Sequence, residues 1–364
     1  MKIFRELPIS FLLAITLLAA IGAALLYSAN GGEHTGWPLI HAVRFGVCMM
    51  GLLIIAAIPP KLFMMFAYPI YFMCLVLLVF VETSGIVGKG AQRWLDIGGL
   101  KLQPSELMKI ALVLVLARYF NEATETEARQ PLFLIPALLL IAMPVALVLL
   151  QPNLGTSLLL TCGGAAILFF AGVPIAWFAT LIVLAAAAIP FAWELLLHDY
   201  QKARVMTFLD PSLDPLGKGY HITQSKIAIG SGGFWGKGYM QGSQNSLDFL
   251  PEKHTDFIFT ILAEEFGLVG TWGMLALCGY IIFYCYRVAQ LTPHSFCRLM
   301  CGGIAVTFFL YILINVGMIS GIFPVVGIPF PLLSYGGTSM LTMMIGFGLV
   351  AGAYREAMTR RRSF

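Results

Sequence analysis

Ten apolar stretches of 17 or more residues follow one another along the chain, separated by short polar breaks, and each could cross a hydrocarbon core of roughly 30 Å as a helix. They run from Pro8 to Ser28, Leu39 to Ile58, Leu62 to Val81, Pro104 to Phe120, Leu132 to Leu150, Gly155 to Gly172, Pro174 to Trp193, Phe257 to Tyr286, Arg298 to Ser320 and Ser334 to Tyr354. In lipid the backbone must satisfy its polar groups within the protein, which helices do internally. The expected fold is therefore all-α, a single membrane domain of about ten transmembrane helices over residues 1–364. Composition agrees: 59% of residues are hydrophobic and 11% charged, against about 25% charged in soluble domains. The first stretch is read as a retained helix, because no small-residue cleavage site closes it and further spans follow at once.

An even number of spans puts both termini on one side, and short-loop charge says which. Lys2, Arg5, Lys61, Arg118, Arg129, Arg287, Arg298, Arg355 and Arg360 to Arg362 fall on the terminal side, against Lys89, Arg93 and Lys101 on the other. The termini are expected in the cytoplasm. The basic tail suits an anionic inner leaflet better than a nucleic acid, so no nucleic-acid partner is expected. All seven cysteines lie in spans or in a loop on the terminal side, which leaves no extracellular disulfide framework. The longest connection, residues 194–255, becomes one large extracytoplasmic loop. Between Gly217 and Gly242 it holds eight glycines interleaved with Lys218, Tyr220, His221, Lys226, Phe234, Trp235, Lys237, Tyr239 and Gln241. Such a stretch could present backbone N–H groups, amines and aromatic faces to an anionic, sugar-bearing ligand, or serve as a plain connector.

Ionisable residues in a membrane are costly and usually functional, so their depth carries information. Arg44 lies a turn and a half into a span that starts on the outer side, and Glu106 and Lys109 open another. Glu82 and Glu194 end spans there. The stretch from Phe257 is too long for the core, so Asp256, Glu264 and Glu265 are expected at or above the outer interface. A pump or channel needs polar groups along its whole route. An enzyme that works on a lipid head group needs them at one face, which is the distribution here.

Three constellations lie at that face. Gln92-Arg93-Trp94 is followed by Gln103-Pro104-Ser105-Glu106 and Lys109, where Pro104 suits the first helical position. Glu106 and Lys109 could form a neutralising i,i+3 pair; alternatively Arg93 and Lys109 hold phosphate while Glu106 orients Lys109 or binds a metal ion. In Leu250-Pro251-Glu252-Lys253-His254-Thr255-Asp256-Phe257, Asp256 could cap a helix or act as a general base. Gly327-Ile328-Pro329-Phe330-Pro331-Leu332-Leu333-Ser334-Tyr335-Gly336-Gly337 reads as a rigid broken or re-entrant segment.

Taken in this order, these motifs and the glycine-rich loop between them closely resemble the SEDS family of bacterial shape, elongation, division and sporulation proteins, most of all its RodA branch. The resemblance covers nearly the whole chain. It implies a ten-span fold in the bacterial cytoplasmic membrane and peptidoglycan glycosyltransferase activity on lipid II, for elongation and rod shape, alongside a class B penicillin-binding transpeptidase. The family's essential aspartate falls on Asp256, and its glutamate in the fourth-span motif on Glu106. Gln151-Pro152-Asn153-Leu154-Gly155-Thr156 departs from the pattern, since members often carry aspartate where this chain has Asn153.

The mechanism so implied has Asp256 accept the proton of the acceptor's 4-hydroxyl as that oxygen attacks the donor's anomeric carbon, with inversion. Arg44, Arg93, Lys109, Lys237 and Lys253 are the candidate partners of pyrophosphate oxygens, with Ser105, Glu106 and Thr255 beside them. Magnesium or manganese could assist at Glu106 or Asp256. Two rivals make other demands. A lipid II transporter needs a polar path through the inner half of the spans, and a scaffold that activates a transpeptidase gives no reason for Asp256 and Glu106 to face head-group depth.

Overall fold

The computed structural model describes residues 7–88, 91–98, 100–195, 202, 206–208, 210, 218–243 and 253–362. Helices α1 (Ile9–Ala29), α2 (Trp37–Ala57), α3 (Pro60–Ser84), α4 (Pro104–Tyr119), the short α5 (Glu125–Ala128), α6 (Pro131–Leu150), α7 (Leu154–Phe170), α8 (Ile175–Leu195), α9 (Lys218–Gly232), α10 (Ile258–Leu291), α11 (Ser295–Ile319) and α12 (Gly337–Arg362) follow in order. Among the described residues, seven helices are long and apolar enough to cross a membrane: α1, α2, α3, α6, α10, α11 and α12. Proline at the first or second position opens α2, α3, α4 and α6, where a missing N–H costs no helical bond.

Helix α4 occupies the middle of the bundle, against α3, α6, α7 and α11. From Met108 to Ala117 it is buried on every face, as expected for a helix apolar all round. Exposed apolar side chains such as Ile54, Phe72 and Leu132 instead lie on α2, α3 and α6, where a multi-pass protein meets lipid tails. Helices α2 and α12 run parallel and close: Gly348 approaches the Leu52 carbonyl, Gly352 that of Ala56, and Arg355 donates to the Ala57 carbonyl at 2.8 Å.

The all-α expectation needs one correction. After α3, strands β1 (Ile86–Gly88), β2 (Ala91–Ile97) and β3 (Leu100–Leu102) form an antiparallel sheet in the order β1-β2-β3, with Ile86 opposite Trp94 and Asp96 opposite Lys101. The cause is legible locally. Leu95 and Ile97 alternate before Gly98-Gly99, Leu100 and Leu102 after it, and Gly98 takes φ 64°, which a tight hairpin requires.

Helix α10 resolves the overlong eighth stretch. It breaks at Gly267 (φ 61°, ψ −155°), so the buried segment from Ile258 to Glu265 is separate from a span that starts at Leu268 and runs about 36 Å at 1.5 Å per residue. Backbone groups near the break find partners in the chain after α9. Leu268 and Val269 N–H donate to the carbonyls of Gly233 and Phe234, while Lys237 and Gly238 N–H donate to those of Glu264 and Glu265. This approach demands glycine: a Cβ on Gly236 would meet the Glu265 carbonyl oxygen at 2.2 Å. Within the long 194–255 connection, then, the described glycine-rich part is a helix and a tight turn docked on α10. Leu250, Pro251 and Glu252 lie outside the described residues.

Candidate active site at one end of the bundle

The turn over residues 253–257 leads into α10, whose N-cap is Phe257 and not Asp256. Its main chain is held from the side: Asn315 Nδ2, on α11, donates to the Asp256 carbonyl at 2.9 Å and to the Ile328 carbonyl at 2.7 Å. The Asp256 carboxylate lies beside Gly327, where φ is 70° and a Cβ would stand 3.3 Å from Oδ2. His254 stacks on Trp37, the first residue of α2, at 4.2 Å, and its carbonyl accepts from Tyr335 N–H at 2.8 Å. Arg44 lies over the Tyr335 ring at 4.7 Å. Lys253, Thr255 and Asp256 are all half-buried. Four separate parts of the chain thus meet here.

The segment between α11 and α12 makes this convergence possible. Residues 322–330 form neither helix nor strand and enter a short turn, yet Ile328, Phe330, Leu332, Leu333 and Ser334 are buried. Prolines 324, 329 and 331 remove three N–H groups that burial would have to satisfy, and Ser334 Oγ accepts from Phe330 N–H at 2.9 Å. Gly22 of α1 admits the segment, since a Cβ there would lie 2.5 Å from the Leu332 carbonyl oxygen.

One turn deeper along α11, a closed cluster forms. Lys109 Nζ lies 2.6 Å from Glu106 Oε1 and 2.6 Å from the Tyr311 hydroxyl, and that hydroxyl donates to Glu106 Oε2. Glu106, Lys109 and Tyr311 are all buried. Both carboxylate oxygens have partners within the bundle, which is what a charge in low dielectric requires. Ser105 Oγ, next to them, is buried and has no hydrogen-bond partner among the described residues.

The remaining candidates serve other contacts. Arg93 Nε donates to the Gln151 carbonyl at 3.0 Å and Nη2 to that of Pro152, so β2 is fastened to the turn between α6 and α7. Asn153 caps α7 by accepting from Thr156 N–H at 3.3 Å. Lys237 pairs with buried Glu264 at 2.6 Å and with Ser243 at 2.8 Å, on α10 rather than in the 253–257 turn. Sequence reasoning passed over Asn315, Tyr311 and Trp37, and read Gly327 only as part of a broken segment. The available signal was a lone amide in the apolar run Tyr311 to Val316 and a tyrosine one helical turn before it. Among the described residues no three of His, Cys, Asp and Glu converge as metal ligands.

The family model of FtsW, RodA and SpoVE cell cycle proteins matches residues 7–359. The chain is 46% identical over 344 residues to the peptidoglycan glycosyltransferase MrdB of Escherichia coli K12, covering 94% of this chain and 91% of that one. Its fold is similar to a chain of a peptidoglycan synthase complex that coordinates polymerization and crosslinking, with TM-score 0.82, 29% identity, and 96% and 98% of the two chains covered. It is also similar to the rod shape determining protein RodA of Thermus thermophilus, with TM-score 0.72, 27% identity, and 96% and 97% covered. Together with the end-on cluster of Asp256, Arg44 and the buried proline segment, these likenesses make the chain a member of the FtsW, RodA and SpoVE family of cell cycle proteins.

Proposed function

We propose that this protein is the glycan polymerase of a cell-elongation machine: a peptidoglycan glycosyltransferase that joins lipid II disaccharides at the outer face of the bacterial cytoplasmic membrane. On the ten-span reading of the sequence both termini lie in the cytoplasm and the 253–257 turn outside, and the seven helices long and apolar enough to cross a membrane support a multi-pass chain. The observation that carries the reading is a carboxylate, Asp256, on a turn at one end of an apolar bundle, beside the glycine turn at 327 and near Arg44.

In the reaction, Asp256 takes the proton from the 4-hydroxyl of the acceptor's N-acetylglucosamine. The oxygen attacks the anomeric carbon of the donor's N-acetylmuramic acid, the new glycosidic C–O bond forms, and the bond to pyrophosphate breaks with its electron pair. A single displacement inverts the anomeric centre. Negative charge grows on the departing polyprenyl pyrophosphate, and Arg44, which lies over the Tyr335 ring, and Lys253, three residues before Asp256, receive it. The prenyl tail stays among lipid chains while the sugars extend into water. Glu106 and Lys109 support the site from beneath, and Arg93 shapes it through the turn between α6 and α7.

Asp256, with substrate oxygens, would hold a magnesium or manganese ion, because among the described residues both oxygens of Glu106 already bind Lys109 and Tyr311. Such an ion would supply positive charge to the leaving group. The working partner is a class B penicillin-binding transpeptidase, in keeping with the likeness to a synthase complex. Incubating purified protein with labelled lipid II, with and without the transpeptidase, should yield long glycan. Lipid II recovered unchanged in both incubations would remove the polymerase reading.

A further inference from the structure

Asn315 belongs to none of the motifs, yet it is fully buried and its amide nitrogen serves two main-chain carbonyls at 2.9 and 2.7 Å. Both partners are acceptors, so the nitrogen and not the amide oxygen must face them. The carbonyls belong to Asp256 and Ile328, each in a segment without helix or strand. Gly327 precedes Ile328, adopts φ 70°, and leaves only 3.3 Å between a would-be Cβ and Asp256 Oδ2. One side chain on a rigid helix therefore fixes both the backbone that bears the carboxylate and the backbone beside it.

We propose that Asn315 is a positioning residue for glycan polymerisation, which through the Asp256 and Ile328 carbonyls sets the Asp256 carboxylate where the acceptor hydroxyl arrives. This rests on the reading of Asp256 as proton acceptor. Displacing a catalytic group by about 1 Å can cost on the order of 10²-fold in rate, while substrate affinity, set elsewhere, stays. Loss of the amide thus acts on kcat and spares KM.

The test uses the full-length protein with its transpeptidase partner and labelled lipid II. Asn315→Leu keeps the side-chain size and loses both donors, and its kcat should fall roughly 10- to 100-fold with KM within about twofold. Tyr71→Phe is the control: it removes a hydroxyl bond to the Leu140 carbonyl (2.8 Å) that ties α3 to α6, and it should keep full turnover. A kcat for Asn315→Leu equal to that control, or a loss carried by KM alone, overturns the proposal. Should Asn315→Leu fail to accumulate, Asn315→Ser, which keeps one donor, takes its place: a several-fold drop in kcat at constant KM sustains the proposal and an unchanged kcat overturns it. Asp256→Ala in parallel separates the two ideas. If Asp256→Ala still polymerises, the proton-acceptor reading fails; if it is inactive while Asn315→Leu turns over normally, only the positioning role fails.

Discussion

Glu106 and Asp256, the two carboxylates that the sequence motifs place at the outer ends of spans, live in opposite surroundings. Glu106 is buried, its two oxygens taken by Lys109 and Tyr311, and the cluster closes on itself. Asp256 is half-buried on a turn, and the bonds from Asn315 go to its backbone, with Gly327 leaving room at the carboxylate. Helix α11 serves both, through Tyr311 for the first and Asn315, one turn on, for the second. The difference fits the roles proposed for the two. A carboxylate with two fixed partners inside a low-dielectric bundle is held in place, which suits a strut. A carboxylate whose backbone is clamped while its head meets a glycine turn can take up a proton, which suits a base.

The largest expected effect breaks the comparison at its reactive end. Asp256→Ala should lower polymerisation by at least about 10²- to 10⁴-fold with expression intact, measured as glycan made from lipid II by purified protein. Glycan made at an undiminished rate would move Asp256 to the same structural class as Glu106. At the closed end the expected loss is in stability instead. Glu106→Gln or Lys109→Met alone strands a buried charge and should cost about 3–5 kcal/mol, read from thermal unfolding in detergent. The double variant removes both charges and should recover most of that stability. If the double variant is stable yet fails to polymerise, Lys109 touches substrate and the strut assignment is wrong.

A smaller effect sharpens the contact between Asp256 and its neighbour. Gly327→Ala forces a side chain into φ 70° and brings a methyl to 3.3 Å from Oδ2. Strain of about 1–3 kcal/mol at such a backbone position, with the carboxylate nudged aside, should reduce turnover roughly tenfold. Turnover equal to the parent's would mean that the carboxylate does not work from its place beside Gly327.

How much of this was legible in the chain depended on the range of the interaction. Apolar runs gave the helices, because a span is dictated by its own residues. The sheet over Ile86–Leu102 was signalled by alternation around Gly98-Gly99 but hidden by the expectation that lipid imposes on a short connection. The glycine-rich stretch read as either a ligand-presenting segment or a plain connector. Its glycines instead admit the backbone of α10, since Gly232 and Gly236 would each put a Cβ within 2.2 Å of a carbonyl oxygen. Composition could reveal a need for close approach without saying what approaches. Motif spacing found Asp256, Glu106 and Lys109, while Asn315 and Tyr311 emerge only when α11 is packed against segments far away in sequence.

Asn153 offers the finest test, because here the chain departs from the aspartate that the family resemblance led one to expect. In the fold this residue caps α7, with Oδ1 accepting from Thr156 N–H, and the neighbouring carbonyls of Gln151 and Pro152 are held by Arg93. Asparagine and aspartate cap helices about equally well, whereas alanine costs about 1 kcal/mol. Asn153→Asp should therefore leave polymerisation within about twofold, and Asn153→Ala should lower thermal stability by that ~1 kcal/mol with turnover of the folded fraction unchanged. If aspartate at this position raised the rate tenfold or more, a third carboxylate would join the comparison, and it would stand with Asp256 rather than with Glu106.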